Sequence, residues 1–329
     1  MIRISRLIAT FMTCVLILMY CQQKNENMPS QNTVEPQNPS LSKVSLIVLG
    51  TVQDGGSPHI GCKKQCCEAL FDHPDPDRIV VSLGIVDTEN QQNFIFEATP
   101  DFSSQLKKLK SFSNWDAPET PTGIFLTHAH IGHYTGLMYL GREAMGSKDV
   151  SVFVMPKMKA YLEENGPWSQ LVSLGNINLK PIKANENLKL SSKLTIIPIL
   201  VPHRDEFSET VGYQIVGPEK TALFIPDIDK WHKWDRDLIQ IISEVDYAFI
   251  DASFYDADEI NHRDISEIPH PFVVESMTLL DELSETGRNK VWFIHFNHTN
   301  PLLNRQSNQF QLVTSKGYNV ARIYDVFPM

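Results

Sequence analysis

The chain has 329 residues, of which 42% are hydrophobic, and a formal net charge of −10 at pH 7. No block of basic residues interrupts this acidic composition, so the sequence argues against nucleic acid as a partner and against electrostatic attraction to anionic membranes. A small-molecule substrate is the partner that the sequence favours.

The first 21 residues are typical of an export signal. Arg3 and Arg6 precede an apolar run over residues 7–20, which ends at Cys21. The run has about fourteen residues, short of the roughly twenty that span a bilayer, so a signal peptide is predicted rather than a membrane helix. Residues 18–21 resemble a bacterial lipoprotein cleavage box, which favours lipidation of Cys21; Tyr20 stands where a small residue is usual, and cleavage nearby without lipid is the alternative. The expected location is periplasmic or anchored in the outer membrane, with the lipid as the only membrane contact.

Residues 22–42 are predicted to form a tether. They are rich in Gln, Asn, Pro and Ser and contain almost no aliphatic residues. Such a composition cannot bury enough apolar surface to offset the entropy lost on ordering. Residues 43–329 show no second linker and are therefore predicted to form one domain.

That domain has alternating strand and helix patterns. Strands are predicted at 44–50, 79–86, 93–97, 123–126, 150–155, 194–201, 210–216, 221–225, 245–250, 291–296 and 320–324. Helices are predicted at 99–110, 135–145, 157–164, 235–243, 272–283 and 305–316. Strands follow strands, and helices interrupt them only at intervals. This pattern favours an α/β (α+β) fold of two mixed sheets covered by helices over a single alternating parallel sheet.

Three cysteines follow the first predicted strand. Cys62, Cys66 and Cys67 stand within six residues of one another. In an exported protein an odd trio is awkward as a disulfide framework, because one thiol is left over. Three thiolates and one histidine would complete a tetrahedral zinc site of the structural kind. The alternative is one local disulfide with a free thiol.

Three histidines crowd into six residues after the apolar run at 123–126. In an extended segment His128 and His130 point the same way, and a turn through Gly132 brings His133 round to them. Neutral imidazole is the commonest protein ligand for zinc and iron. The cluster therefore indicates a site for one or two metal ions.

Single metal-binding residue types recur after later predicted strands. His203, Asp227 and His295 each stand at or just beyond a strand end. Any one of them alone would be explained as a turn former or a cap. Their recurrence indicates that they join the histidine cluster in one site.

The order of these residues resembles the metallo-β-lactamase superfamily over most of the predicted domain. Within it, the flanking sequence is similar to the branch that includes the pyrroloquinoline quinone synthesis protein B and a phosphodiesterase of phosphonate breakdown. The resembling stretches are residues 49–51 (LGT), 98–101 (ATPD), 134–137 (YTGL), 141–143 (GRE) and 294–301 (IHFNHTNP).

The resemblance implies a four-layer αββα sandwich with metal ions at the edge of its sheets. It implies a first ion held by His128, His130 and His203, a second held by His133 and His295, and Asp227 as the bridge between them. It also implies a cysteine-rich zinc site in which His298 is the fourth ligand, with His59 as a rival. The expected ions are Zn²⁺, one structural and one or two catalytic, with Fe or Mn as alternatives at the catalytic site.

The sequence departs from the superfamily at Gly132, where the histidine loop of the family has Asp. Glycine has no side chain to bind a metal ion, so a firm first site and a weaker second site are predicted. Asp205 and Glu206 are candidates for the lost base. Asp251, His262 and His270 are candidates for a supporting role around the ligands, and His270 together with Asp227 is the candidate catalytic pair.

The expected activity is that of an exported metal-dependent hydrolase acting on a phosphodiester or ester-type bond. Two alternatives come from other classes of protein. One is an iron-dependent oxygenase, which the resemblance to the quinone synthesis protein implies. The other is a non-catalytic metal-binding lipoprotein.

Overall fold

The computed structural model describes residues 41–260 and 268–329. These residues belong to one compact unit, Ser40–Met329. The predicted signal peptide, almost all of the predicted tether and His262 lie outside the described residues, so export and lipidation of Cys21 stay predictions. None of the helices in the described ranges is long and apolar enough to cross a bilayer.

Two seven-stranded sheets form the centre of the molecule. The first has the strand order β14-β1-β2-β3-β4-β5-β6 and the second has the order β13-β12-β11-β10-β9-β8-β7. The strands are β1 (Val44–Gly50), β2 (Ser82–Asp87), β3 (Gln92–Phe96), β4 (Gly123–Phe125), β5 (Val150–Val154), β6 (Ile177–Pro181), β7 (Leu188–Lys189), β8 (Thr195–Leu200), β9 (Val211–Val216), β10 (Thr221–Ile225), β11 (Tyr247–Asp251), β12 (Val291–Ile294), β13 (Asn319–Val320) and β14 (Val326–Pro328).

Both sheets are mixed, as the sequence predicts. In the first sheet β14, β1, β2 and β3 pair antiparallel, whereas β3 to β6 pair in parallel. In the second, β7 to β10 pair antiparallel and β10 to β13 pair in parallel. The parallel strands connect through helices, because a parallel crossover must return the chain to the other end of the sheet.

Helices cover the outer faces of the sheets. They are α1 (Gln65–Asp72), α2 (Phe102–Phe112), α3 (Ile131–Tyr134), α4 (Pro156–Glu164), α5 (Trp168–Ser173), α6 (Leu238–Ser243), α7 (Val273–Leu279), α8 (Glu285–Arg288) and α9 (Asn308–Ser315), with 3₁₀ turns between them. Leu109 of α2 and Met158 of α4 pack on the first sheet, and Ile242 of α6 and Met277 of α7 pack on the second. The result is the expected four-layer αββα sandwich.

The core between the two sheets is aromatic. Phe96 and Phe125 of the first sheet stack with ring centroids 5.0 Å apart, and Tyr213 and Phe224 of the second sheet pack against Phe96 at 5.2 and 6.1 Å. All four side chains are buried. Offset and edge-on rings of this kind stabilise a core beyond the area that they bury.

Several predicted elements differ from the structure. The predicted helix 135–145 is a 3₁₀ turn, Thr135–Leu140, preceded by the short helix α3. The predicted strand 320–324 is reduced to β13 (Asn319–Val320), and the chain turns at residues 323–324, where Tyr324 has a left-handed φ of 68°. Elements α1, α3, α5, α8, β6, β7 and β14 were not predicted, because they are short or lack a clear hydrophobic period.

Candidate metal centre

The predicted metal-binding residues meet at one edge of the sandwich. His128 and His130 lie between β4 and α3, His203 follows β8, Asp227 follows β10, and His295 follows β12. Strands β10, β11 and β12 run in parallel, so their carboxyl ends deliver Asp227, Asp251 and His295 to the same edge. The structure therefore brings together residues that are up to 167 positions apart in the sequence.

Asp227 lies at the middle of the cluster, where five imidazoles face its two carboxylate oxygens. The distances to Oδ2 are 3.4 Å from His128 Nε2, 3.7 Å from His133 Nε2 and 4.0 Å from His130 Nδ1. The distances to Oδ1 are 3.2 Å from His203 Nε2 and 3.1 Å from His270 Nδ1. Such a carboxylate, with histidines near both oxygens, is a candidate metal ligand.

Several buried nitrogens in the cluster have no hydrogen-bond partner of acceptable geometry among the described residues. They include Nε2 of His128, His133 and His295. Leaving a buried polar atom unsatisfied costs about 1–3 kcal/mol, so three at one place indicate a missing ligand. A divalent metal ion fits them, because unprotonated imidazole nitrogen and carboxylate oxygen are the ligands that zinc and iron accept.

Asp227 belongs to two groups of close ligand atoms. One contains Asp227 with His128, His130 and His203, and the other contains Asp227 with Asp251, His270 and His295. Within each group one ligand atom of every residue lies within 4.8 Å of the others. The described residues therefore form a centre that can hold divalent metal.

Oxygen atoms behind the histidines orient the rings. Nδ1 of His128 lies 2.8 Å from Thr127 Oγ1, and Nδ1 of His203 lies 3.2 Å from Asp229 Oδ1. Nδ1 of His295 lies 2.9 Å from Ser253 Oγ. An acceptor at Nδ1 fixes the proton there and leaves Nε2 as the unprotonated, metal-binding nitrogen.

The pKa values of two of these buried histidines are shifted in opposite directions. Burial, and then the neighbouring His133, hold the pKa of His128 well below its usual value. Burial also disfavours the charged form of His133, but the Glu97 carboxylate, 3.5 Å from His133 Nδ1, outweighs the effect of burial. Asp54 and Asp227 act in the same direction as Glu97, and the three carboxylates together raise the pKa of His133 to about 9. Glu97 is fully buried and has a left-handed φ of 79°, so the backbone is strained where it holds this carboxylate.

Asp251 supports the cluster rather than facing its centre. Its Oδ1 accepts hydrogen bonds from Ser253 N at 2.9 Å and Ser253 Oγ at 2.8 Å, while its Oδ2 accepts from Ile228 N at 3.3 Å and lies 2.8 Å from His270 Nδ1. Burial alone would lower the pKa of His270, but Asp251 and Asp227 raise it well above its usual value. His270 can therefore hold a proton beside the carboxylates.

The two candidates for a replacement base have different surroundings. Glu206 Oε2 lies 3.7 Å from His130 Nε2, although 57% of the Glu206 side chain is exposed. Asp205 is exposed. Glu206 thus lies at the mouth of the centre, beside the only partly exposed histidine of its first ligand group.

The space beside Gly132 is filled by a residue that the sequence analysis did not select. A Cβ atom on Gly132 would lie 1.9 Å from Asp54 Cβ and 2.6 Å from Asp54 Cα. Asp54 comes from the loop after β1, and no spacing signal in the sequence connects it to the histidines. Glu97 was missed for the same reason, since it reads simply as the end of a strand.

The three cysteines also form a cluster with His298. Cys66 Sγ lies 3.8 Å from Cys62 Sγ and 3.9 Å from Cys67 Sγ, and all three thiols are free. Ligands about 2.3 Å from a tetrahedral zinc ion lie roughly 3.8 Å apart, whereas a disulfide bond is about 2.05 Å long. The geometry fits the predicted zinc site and not the disulfide alternative.

The fourth member of this cluster is His298 rather than His59. His298 groups with the three thiols, and its Nδ1 lies 3.0 Å from Asn297 Oδ1. His59 stacks on the His298 ring at 4.7 Å, and its backbone N–H donates to Cys67 Sγ. Burial, and then the nearby charge of His59, lower the pKa of His298 to about 4, so the imidazole is neutral at pH 7.

Comparison with known proteins agrees with the fold. The family described as Beta-lactamase superfamily domain matches residues 92–296. The coenzyme PQQ synthesis protein B of Acinetobacter baumannii (strain ACICU) is 23% identical over 300 residues, covering 84% of this chain and 97% of that protein.

Two solved structures share the fold. The Zn²⁺-bound PqqB from Methylobacterium extorquens has a TM-score of 0.70 at 19% identity, covering 87% of this chain and 100% of the other. A diphosphatase of the PhnP family has a TM-score of 0.58 at 20% identity, covering 88% of this chain and 98% of the other. The chain belongs to the metallo-β-lactamase superfamily, in a branch that resembles PqqB and the PhnP-family diphosphatase.

Proposed function

We propose that the protein is an exported metal-dependent hydrolase. His128, His130 and His203 would hold a first ion, His133 and His295 a second, and Asp227 would bridge them. The observation that carries the proposal is the buried carboxylate of Asp227 with five imidazoles around it, several of whose nitrogens have no hydrogen-bond partner among the described residues. The expected ion is Zn²⁺, with Fe or Mn as alternatives.

A divalent ion bound there would lower the pKa of water and polarise a phosphoryl or carbonyl oxygen. The residues of the chain supply the remaining steps. Glu97, Asp229 and Ser253 hold the histidine rings in place through Nδ1. His270, which Asp251 contacts through Nδ1, would donate a proton to the leaving oxygen of the substrate.

A phosphodiester with an apolar group is the substrate class that the mouth of the centre favours. Ile131, next to His130, is 69% exposed, and Phe207, next to Glu206, is 60% exposed. Because Glu206 and His130 are in contact, these apolar side chains border the same opening. The diphosphatase among the structural neighbours supports phosphoester chemistry as a first choice.

An iron-dependent oxygenase is the second candidate. The relatives named coenzyme PQQ synthesis protein B cover most of this chain, and histidines with a carboxylate suit iron as well as zinc. Oxygen uptake by the iron-loaded protein with a phenolic substrate, without hydrolysis of any ester by the zinc-loaded protein, would favour this candidate.

The test is hydrolysis of bis(p-nitrophenyl) phosphate by the zinc-loaded protein. We expect turnover by the natural protein and a loss of at least about 10³-fold in His128→Ala, because the ion supplies several kcal/mol of transition-state stabilisation. The matched control is His232→Ala, which removes an exposed histidine and should leave turnover unchanged.

Equal turnover in the His128→Ala variant and the natural protein would contradict the proposal. Absence of turnover in the natural protein, with ions still bound, would indicate the third candidate, a non-catalytic metal-binding lipoprotein. Metal content is measured on the same samples. This measurement distinguishes a variant that has lost the ion from a variant that no longer folds.

A further inference from the structure

The loop aspartate that the superfamily has and this chain lacks is replaced in space by another aspartate. A Cβ on Gly132 would lie 1.9 Å from Asp54 Cβ, 2.6 Å from its Cα and 3.1 Å from its Cγ. Contacts this short do not occur between real atoms, so the side chain of Asp54 occupies the volume in which a side chain at position 132 would begin. The same volume cannot hold both.

The loop that carries Asp54 is fixed beside His295. Val52 forms a parallel bridge with Phe296, the residue that follows His295. The backbone of Gln53 donates to Phe296 O at 2.8 Å, and Phe296 N donates to Thr51 O at 2.8 Å. Asp54 is therefore attached to the backbone that positions one of the proposed ligands of the second ion.

The carboxylate of Asp54 is also held by its neighbours. The side-chain amide of Gln53 donates to Asp54 Oδ1, and Gln53 Oε1 accepts a hydrogen bond from Gly55 N at 2.9 Å. Asp54 is half-buried, and its negative charge acts on His133. A solvated loop aspartate would need none of these contacts.

We propose that Asp54 supplies the carboxylate ligand of the second metal ion in place of the aspartate that is absent at position 132. With His133, His295 and Asp227 it completes four protein ligands, a number that zinc commonly takes. Gly132 then does not remove the second site. The site requires Gly132, because only glycine at this position leaves room for Asp54. This inference rests on the metal centre of the proposed function and not on its reaction.

Metal binding tests the inference directly. Apo protein is titrated with Zn²⁺ by calorimetry, and bound ions are counted by elemental analysis. Co²⁺ loading separates the sites, because only the cysteine site gives a thiolate charge-transfer band. For the natural protein we expect two ions at the histidine centre.

We expect Asp54→Ala to lower the affinity for the second ion by more than about 100-fold. This is the upper end of the loss seen when a residue that merely orients a ligand is removed. The first ion and the cysteine band should be unchanged. Asp54→Asn serves as a second variant of nearly equal size, should the alanine variant fold poorly. The matched control is Asp116→Ala, an exposed carboxylate in the loop between α2 and β4, which should bind as the natural protein does.

A relocation experiment makes the test sharper. Gly132→Asp alone should be destabilised, because its Cβ would collide with Asp54. The double variant Asp54→Gly with Gly132→Asp should bind the second ion again, because the carboxylate returns through the other loop. Wild-type affinity for both ions in Asp54→Ala and Asp54→Asn would overturn the inference. A natural protein that binds two ions but hydrolyses nothing would sink the proposed reaction and leave this inference standing.

Discussion

At the scale of single residues, the centre depends on different roles for the two ring nitrogens of His128, His203 and His295. Side-chain oxygens of Thr127, Asp229 and Ser253 accept hydrogen bonds from Nδ1 of these three rings. The Nε2 atom of each ring therefore faces the centre. Asp251 is different, because protein donors already occupy both of its oxygens. Although Asp251 belongs to one group of close ligand atoms, we expect it to act as a positioning residue that fixes His270.

His270→Gln tests this assignment. We expect turnover of the aryl diester to fall by about 10²–10⁴-fold, the usual contribution of a general acid or base, with unchanged metal content at the histidine centre. The remaining activity should lose the basic limb of its pH profile, since the group that delivers the proton is gone. Loss of an ion from His270→Gln would contradict the assignment and make His270 a ligand.

At the scale of elements, short segments carry the candidate metal-binding side chains, and the longer strands hold these segments in position. The backbone of α3 is hydrogen-bonded to the end of β3: Ala98 N donates to His133 O at 2.9 Å, and Gly136 N donates to Ala98 O at 2.8 Å. On the other side, Ala129 N donates to Ser208 Oγ at 2.8 Å. The histidine segment is thus fixed between the two sheets, although it has only one helical turn.

Gly136 permits the close approach on the first side. A Cβ on Gly136 would lie 2.2 Å from Thr99 O and 2.6 Å from Phe102 Cβ. We expect Gly136→Ala to lower the free energy of unfolding by about 1–3 kcal/mol, the usual cost of overpacking, and to weaken metal binding at His133. Denaturant titration measures the first effect and zinc titration the second.

The matched control for this variant is Gly166→Ala. Apart from Gly166 itself and its two chain neighbours, no described residue has an atom within 4 Å of the position that its Cβ would take. Its stability should change by less than about 0.5 kcal/mol. If Gly136→Ala were as stable as this control, the close packing of the 3₁₀ turn Thr135–Leu140 on Thr99 and Phe102 would not matter to the fold.

At the scale of the whole molecule, the cysteine cluster joins the segment that follows β1 to the loop that follows β12. Cys62, Cys66 and Cys67 come from the first loop and α1, and His298 comes from the second. The same two loops carry Asp54 and His295 in the histidine centre. A zinc ion at the cysteines would therefore stabilise the edge that holds the candidate active site.

Cys66→Ser should remove this ion. We expect one zinc fewer per chain and a drop in Tm of at least about 4 °C, since each kcal/mol corresponds to about 2–4 °C in a large domain. Gln65→Ser, an exposed change on the same helix, should retain the ion and the Tm. A Cys66→Ser protein with unchanged zinc content would contradict the cysteine site.

Much of this architecture follows from local patterns in the sequence. The alternating strands predicted both mixed sheets, and the crowding of His128, His130 and His133 predicted the centre, because periodicity and ligand type are properties of short segments. The recurrence of His203, Asp227 and His295 at strand ends extended that prediction across the chain, since the ends of parallel strands meet at one edge.

Tertiary structure decided what depends on contacts between distant segments. The sequence alone indicated that Gly132 weakens the second site, because no pattern relates position 132 to position 54. In the fold, Asp54 lies against Gly132, Glu97 lies behind His133, and Asp251 lies behind His270. The sequence by itself determined which residues are able to bind metal, and the packing of the loops determined which of them face a common centre, because that depends on distances in space that no local spacing encodes.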